Sequence, residues 1–337
     1  MEVNEPDNQT EVFELDHESD VGAVRRRFMT LAATSGLDEV RTGDAGLIAT
    51  ELASNVIKHA GHGGALLGCV AAPGARGVSI AAWDRGPGMN VEACLRDGMS
   101  TAGTAGAGLG AVSRLASRWD AYSRRGAGTV VTATVFARGG PARTAFDVGG
   151  VCLPYPGMAV CGDGWRVHES GRVATVIACD GLGHGDGAAA ATRAVLAAFA
   201  QRPDDALAAI LEHADRAARH TRGAAATIVR VDLAAGEATI AGVGNVAAWI
   251  AGEESSRQLV TQHGTLGQAM PRIREERYGF PAGAQLVMCS DGLKSRPAIH
   301  DHPGLLAHDP ATIAALLWRD HARGKDDATA VVLREAR

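Results

Sequence analysis

The sequence predicts an α+β protein of two domains, and three observations carry that prediction. Amphipathic helices and short strands follow one another irregularly from Asp20 to about Ala137. A Gly-, Pro- and Arg-rich stretch without apolar periodicity comes next, and beyond it short apolar runs recur with two long Ala-rich helices set among them. A chain of 337 residues is also longer than one hydrophobic core usually serves.

In the first domain, residues 21–36 and 44–61 read as helices and residues 65–72 and 78–84 as strands across the turn PGARG. Glycine-rich loops follow, then a helix over 108–119 and a strand over 128–136. The helix through ELASNVIKHA, residues 51–60, sets Glu51, Ser54, Asn55, Lys58 and His59 in one arc, opposite Ala49, Leu52, Ala53, Val56, Ile57 and Ala60. A solvated polar face is the ordinary meaning of such a helix, so its polar residues acquire a role only from what lies around them. The domain takes residues 1–138, a linker 139–147 and the second domain 148–337. In the second, strand-like runs at 157–167, 173–180, 226–232, 238–244, 247–252, 284–291 and 328–334 flank helices at 187–201 and 204–220. That order predicts packed sheets with flanking helices rather than a parallel βαβ sheet.

A net charge of −5 with 46% apolar residues gives no basic excess for nucleic acid or anionic lipid. The six cysteines lie singly, without a C-x-x-C pair, and read as buried thiols of a reduced compartment. No apolar run reaches the roughly 18 residues of a membrane span, and the acidic N-terminus is unlike a signal peptide. The expectation is a cytoplasmic protein.

Three segments of the first domain are able to meet around one nucleotide. Glu51 and Asn55, four apart, project from the same helix face, and an Asn carbonyl oxygen suits Mg²⁺. Asp84 in WDRGPGM ends a strand and can accept from an adenine amino group, while Gly86 and Gly88 let the backbone turn close to the base. GTAGAGLGAV, residues 103–112, leads glycines directly into a helix whose free N–H groups suit phosphate. Over about residues 20–136 these segments resemble the GHKL ATPases, and among them the small anti-sigma regulatory serine kinases of RsbT/RsbW type. E-L-A-S-N matches the N box, D-R-G-P-G-M the adenine box and G-A-G-L-G (Gly106, Gly108, Leu109, Gly110) the phosphate box. The resemblance implies a Bergerat α/β sandwich that binds ATP with Mg²⁺, Glu51 as general base for an attacking serine hydroxyl, Asn55 as metal ligand, and Thr129 at the nucleotide pocket. His59 and His62, beside the N box, read as solvated or loop residues.

The second domain carries CGDGW, CDGLGHGDG, CSDGL and GKDDAT. Each except the last reads as Asp-Gly just after a strand. A lone Asp-Gly is a turn. Four such carboxylate motifs at one sheet edge would repel one another unless divalent cations neutralised them, and all-oxygen ligands favour Mg²⁺ or Mn²⁺. Together they resemble the PPM-type serine/threonine phosphatases of the SpoIIE/RsbX branch over about residues 148–335. The resemblance implies an α-β-β-α sandwich in which Asp163, Asp180 with the Gly181 carbonyl, Asp291 and Asp326, with Asp327 ranked behind it, hold two Mn²⁺ or Mg²⁺ ions that activate water against phosphoserine. His184 reads as a solvated loop residue, with contact to substrate as the alternative, and HDHPGLLAH, residues 300–308, as a loop despite its zinc-like composition.

The two resemblances imply a bifunctional regulator that phosphorylates and dephosphorylates Ser or Thr of a STAS-domain anti-anti-sigma or stressosome-like partner, with a sigma factor or a downstream phosphatase as further partners. The alternative is an ATP-dependent docking or sensing module, without kinase activity, attached to an active phosphatase.

Overall fold

The computed structural model describes residues 9–95, 108–294 and 299–337. The chain divides into two compact units, Met1–Arg143 and Thr144–Arg337. The first runs β1 (Thr10–Leu15), α1 (Glu18–Thr34), α2 (Glu39–Ala60), β2 (Gly63–Ala72), β3 (Ala75–Asp84), α3 (Val91–Leu95), α4 (Gly108–Leu115), β4 (Arg118–Arg124) and β5 (Gly128–Phe136). Its strands form one antiparallel sheet in the order β1-β2-β3-β5-β4. Alternate residues of three strands, Ala65 and Leu67, Val78, Ile80 and Ala82, Val131, Ala133 and Val135, share a core with Phe28 of α1, Ile48, Leu52 and Val56 of α2, and Leu109 of α4. That is the period of two of a sheet meeting the period of 3.6 of its helices.

The helix that carries Glu51 starts five residues before its sequence-predicted beginning. Asp38 caps it by accepting the Arg41 N–H at 2.8 Å, and Gly61 ends it in the left-handed region at φ 74°. Arg41 then ties α2 to its surroundings, donating to the Leu115 carbonyl (2.9 Å) at the end of α4 and to the Phe136 carbonyl (3.1 Å). The expected helix over 108–119 is corrected here. It stops at Leu115, and residues 118–124 form β4 on the edge of the sheet.

The second unit contains β6 (Phe146–Leu153), β7 (Asp163–Ser170), β8 (Val173–Gly181), α5 (Asp186–Gln201), α6 (Leu207–Ala218), β9 (Ala224–Asp232), β10 (Glu237–Val243), β11 (Ala247–Ala251), β12 (Ser256–Leu259), β13 (Glu276–Gly279), β14 (Gln285–Cys289), α7 (Pro310–His321) and β15 (Ala328–Glu335). Phe146 and Asp147, which composition assigned to the linker, open β6. Two five-stranded antiparallel sheets, β13-β10-β9-β8-β7 and β12-β11-β14-β15-β6, face each other across a core that includes Val176, Val229 and Ile240 from one and Ile250, Leu286 and Val331 from the other. The outer face of the first sheet (Ile177, Cys179, Ile228) packs against Val195 and Phe199 of α5 and Ile210 and Leu211 of α6. The other sheet is covered by α7, so close to β6 that a Cβ at Gly149 would stand 2.1 Å from the Ala311 nitrogen. The result is the expected α-β-β-α layering. Strands buried on both faces explain why their sequences are apolar runs rather than alternations. Among the described residues no helix is long and apolar enough to cross a membrane.

Candidate functional sites

In the first unit, strand register gathers the predicted nucleotide residues. Asp84, the last residue of β3, pairs with Gly63, which follows α2 closely, so the DRGPG loop starts beside the end of that helix. A Cβ at Gly86 would lie 2.7 Å from the Ala60 Cβ. The Asp84 Oδ1 accepts the Gly86 N–H at 2.7 Å. Gly88 adopts φ 75°, where a Cβ would meet the Arg124 carbonyl oxygen at 2.4 Å, and the Pro87 carbonyl accepts from Gly126 N–H at 2.8 Å. The loop is therefore clamped on the β4–β5 hairpin. Thr129 is buried, and its hydroxyl lies 3.0 Å from Ser123 Oγ, which also accepts the Met89 N–H at 2.8 Å.

Ser123 was missed by sequence reading. It pairs directly with Thr129 across β4 and β5, a relation hidden while residues 118 and 119 were read as the end of a helix. Glu51 and Asn55 are half-buried on α2, and among the described residues neither side chain has a hydrogen bond or ion pair. Gly108, Leu109 and Gly110 open α4, with Gly108 at φ 50° and Leu109 and Gly110 buried. Gly106 lies outside the described residues. His59 is exposed. His62 pairs with Asp16, whose hydrogen bond raises the imidazole pKa, and so belongs to the β1 edge.

In the second unit, β7 and β8 put Asp163 directly opposite Asp180, a like-charge cross-strand pair that is unfavourable on its own. The expectation that each motif follows its strand is corrected: Asp163 begins β7, Asp180 lies within β8, and Asp291 alone comes after its strand. Asp163 is buried, its Oδ2 without a hydrogen-bond partner among the described residues, and burial followed by the Asp180 charge pushes its carboxyl well above the ordinary range. Burial first, then Asp291 and Asp326, push Asp180 up to about 7. Asp326 is raised as well, chiefly by burial.

Asn245, another residue the sequence reading missed, donates from Nδ2 to Asp291 Oδ2 at 2.7 Å and to Asp180 Oδ2 at 3.4 Å. It follows β10 in GVGNV, and no local signal marks it, because its partners come from β8 and from the turn after β14. Asp327 is 2% exposed. Its Oδ1 accepts the Tyr155 N–H at 2.7 Å, and its Oδ2 is buried without a hydrogen-bond partner among the described residues. Asp326 Oδ1 accepts the Asp327 N–H at 3.0 Å, so the two adjacent carboxylates take different surroundings. Gly181 sits where α5 presses on the sheet: a Cβ there would meet the Ala188 carbonyl oxygen at 2.2 Å. His184 stacks on Tyr155 with ring centroids 5.0 Å apart, at the rim of the cluster.

Among the described residues no three His, Cys, Asp or Glu side chains form a ready-made ligand set. The buried, unpartnered oxygens of Asp163 and Asp327 nevertheless fit a cation, since a carboxylate is not stably buried without charge or hydrogen-bond compensation. The histidines of HDHPGLLAH separate: His300 bonds Ser256 Oγ at 2.8 Å and His302 lies 3.5 Å from Asp320.

A model of the histidine kinase-like ATPase domain matches residues 13–135, and one of stage II sporulation protein E (SpoIIE) matches residues 169–335. The serine/threonine-protein kinase RsbT of Bacillus subtilis (strain 168) is 34% identical over 122 residues, which cover 36% of this chain and 92% of RsbT. The chain belongs to the RsbT-like family. It is a fusion, in which the RsbT-like domain precedes a SpoIIE-type domain. A solved structure described as "The bacterial stressosome: a modular system that has been adapted to control secondary messenger signaling" is 27% identical, with a TM-score of 0.53, covering 56% of this chain and 99% of its own. RsbX, crystallised in complex with magnesium, shares the fold at 19% identity and a TM-score of 0.50, covering 58% of this chain and 98% of its own.

Proposed function

We propose that the chain is a bifunctional regulator that phosphorylates a Ser or Thr of a STAS-type partner through its first unit and removes that phosphate through its second. The observation that supports the reading is that one chain presents two separate groups of polar side chains, one in each unit. In the first, Glu51 and Asn55 stand four residues apart on a helix, unpaired among the described residues; in the second, a carboxylate cluster buried at Asp163 and Asp327 and open at Asp291 and Asp326 sets Asp163 against Asp180 across β7 and β8.

In the first site Asp84 receives the adenine amino group, Gly86 and Gly88 let the backbone approach the base, and the α4 N-terminus with Gly106, Gly108, Leu109 and Gly110 meets the phosphates. Asn55 holds Mg²⁺. Glu51 accepts the proton of the partner's hydroxyl as it attacks, which is the part of phosphoryl transfer that positioning alone does not supply. In the second site Asp163, Asp180 with the Gly181 carbonyl, Asp291, Asp326 and Asp327 would hold two Mn²⁺ or Mg²⁺ ions. Such ions lower the pKa of bound water and neutralise phosphate charge. Asn245 keeps Asp180 and Asp291 together, and Tyr155 N–H fixes one oxygen of Asp327 so that the other faces inward.

The test uses a purified candidate STAS partner, ATP and Mn²⁺, with phosphosites mapped by mass spectrometry. Glu51→Ala should leave the partner unphosphorylated, and Asp291→Asn should let phosphopartner accumulate on the same residue. Phosphorylation by the wild type that is absent from all conditions would convert the first unit into an ATP-dependent docking or sensing module. Different residues affected by the two variants would refute a single reversible switch.

A further inference from the structure

We infer that Arg222 recognises the phosphate of the substrate in the second unit, so that the guanidinium, set against the Gly183–Gly187 loop that leaves Asp180, determines affinity for a phosphorylated Ser or Thr. The inference rests on the phosphatase reading of that unit and adds a residue to it.

Arg222 lies in the turn between α6 and β9, and its backbone is tightly fixed. Gly223 takes φ 88°, its carbonyl accepts the Leu182 N–H at 3.0 Å, and Ala224 pairs with Gly181. The Arg222 carbonyl accepts from Gln268 Nε2. This anchoring places the side chain along the glycine loop that leaves Asp180. A Cβ on Gly187 would stand 2.6 Å from Arg222 Nε and 2.7 Å from its Cζ, and one on Gly183 would stand 3.1 Å from a terminal guanidinium nitrogen. The Gly183 carbonyl oxygen in turn lies 3.5 Å from where a Cβ on Gly162 would be, and that same Cβ would be 2.6 Å from the unpartnered Asp327 Oδ2. Gly183 thus borders both the guanidinium and the Gly162 segment beside Asp327.

A structural role explains this position poorly. Arg222 is exposed, and among the described residues its guanidinium has no hydrogen bond or ion pair. Arg219, three residues earlier, pairs with Asp215 at 3.3 Å. Arg222 also lies against the first turn of the 16-residue α5, the end where a helix repels a cation. An anion beside both the guanidinium and the helix end would reverse the sign of that interaction, and the flat guanidinium fork matches two phosphate oxygens at once. Gly183 and Gly187 fit the same account, because a side chain at Gly187 would displace the guanidinium.

The experiment measures hydrolysis of a phosphoserine peptide by the full chain loaded with Mn²⁺, with inorganic phosphate as competitor. Arg222→Ala should raise KM and the phosphate inhibition constant together by roughly tenfold, with kcat changed far less and the Mn²⁺ concentration for half-maximal activity unmoved. Arg222→Lys should restore part of the loss, keeping charge without the fork. Gly187→Ala should mimic Arg222→Ala although no charge is removed. KM and phosphate inhibition within twofold of wild type in Arg222→Ala would overturn the assignment. So would a rise in KM that tracks a raised Mn²⁺ requirement, the mark of a merely structural role. If the wild type hydrolyses no phosphopeptide, the phosphatase reading fails by itself. Calorimetric titration of inorganic phosphate into the Mn²⁺-loaded chain then still decides: weaker binding in Arg222→Ala supports Arg222 as an anion site, and equal binding refutes it.

Discussion

Replacing Asp180 by Asn should stabilise the metal-free second unit while removing its response to divalent cations. Asp180 faces Asp163 across the β7–β8 pair and shares Asn245 with Asp291. Its carboxyl is displaced from 3.8 to about 7 by burial and neighbouring charge. A group that binds its proton more tightly folded than unfolded favours the fold below about pH 4, and that contribution is lost as pH rises through about 7. At about 1.4 kcal/mol per pH unit of displacement, ionised Asp180 disfavours the metal-free fold by on the order of 4 kcal/mol. Asn is isosteric and cannot ionise. Hydrogen exchange of β8 amides in urea, read on the full chain between pH 5 and pH 8, isolates this unit. Without metal, wild type should lose stability across that range and Asp180→Asn should lose less, ending more stable at pH 8. Mn²⁺ at about a hundred times its Kd should return about 2.7 kcal/mol to the wild type and little to the variant. A metal-free wild type whose stability is flat with pH, or an Asp180→Asn protein that is weaker at pH 8, would refute the reasoning.

Asp84→Ala should abolish binding of a fluorescent ATP analogue, and Asn55→Ala should remove the Mg²⁺ dependence of that binding; wild-type affinity in the Asp84 variant would eliminate the assigned pocket. Gly128 adopts φ 81°, and a Cβ there would lie 2.1 Å from the Asp84 carbonyl oxygen. Gly128→Ala should therefore cost at least about 2 kcal/mol of first-unit stability and weaken ATP binding with it, as thermal unfolding and the same titration would show.

Asp163, Asp180 and Asp291 could be singled out locally, because Asp followed by Gly beside an apolar run is visible without a structure. Glu51 and Asn55 were legible for the same reason, since a spacing of four on a helix fixes a shared face. What escaped were partnerships between distant segments. Asn245 has no local mark, because the groups it bridges stand 65 and 46 residues away along the chain. Ser123 was hidden by β4, a strand whose RWDAYSR sequence alternates only as far as Ala121 and which pairs with β5 along its whole length.

The sequence by itself determined which residue types were available, the two-domain α+β plan and the period of each long helix, because those follow from local sterics and from the spacing of apolar side chains. Only the tertiary structure decided that Asp163 faces Asp180, that Asp327 has one oxygen bound by Tyr155 and the other left alone, and that Arg222 lies along the loop of Gly183 and Gly187. Register and layer packing set those contacts, and a register is a property of two strands together: a shift of one residue would send every side chain to the opposite face.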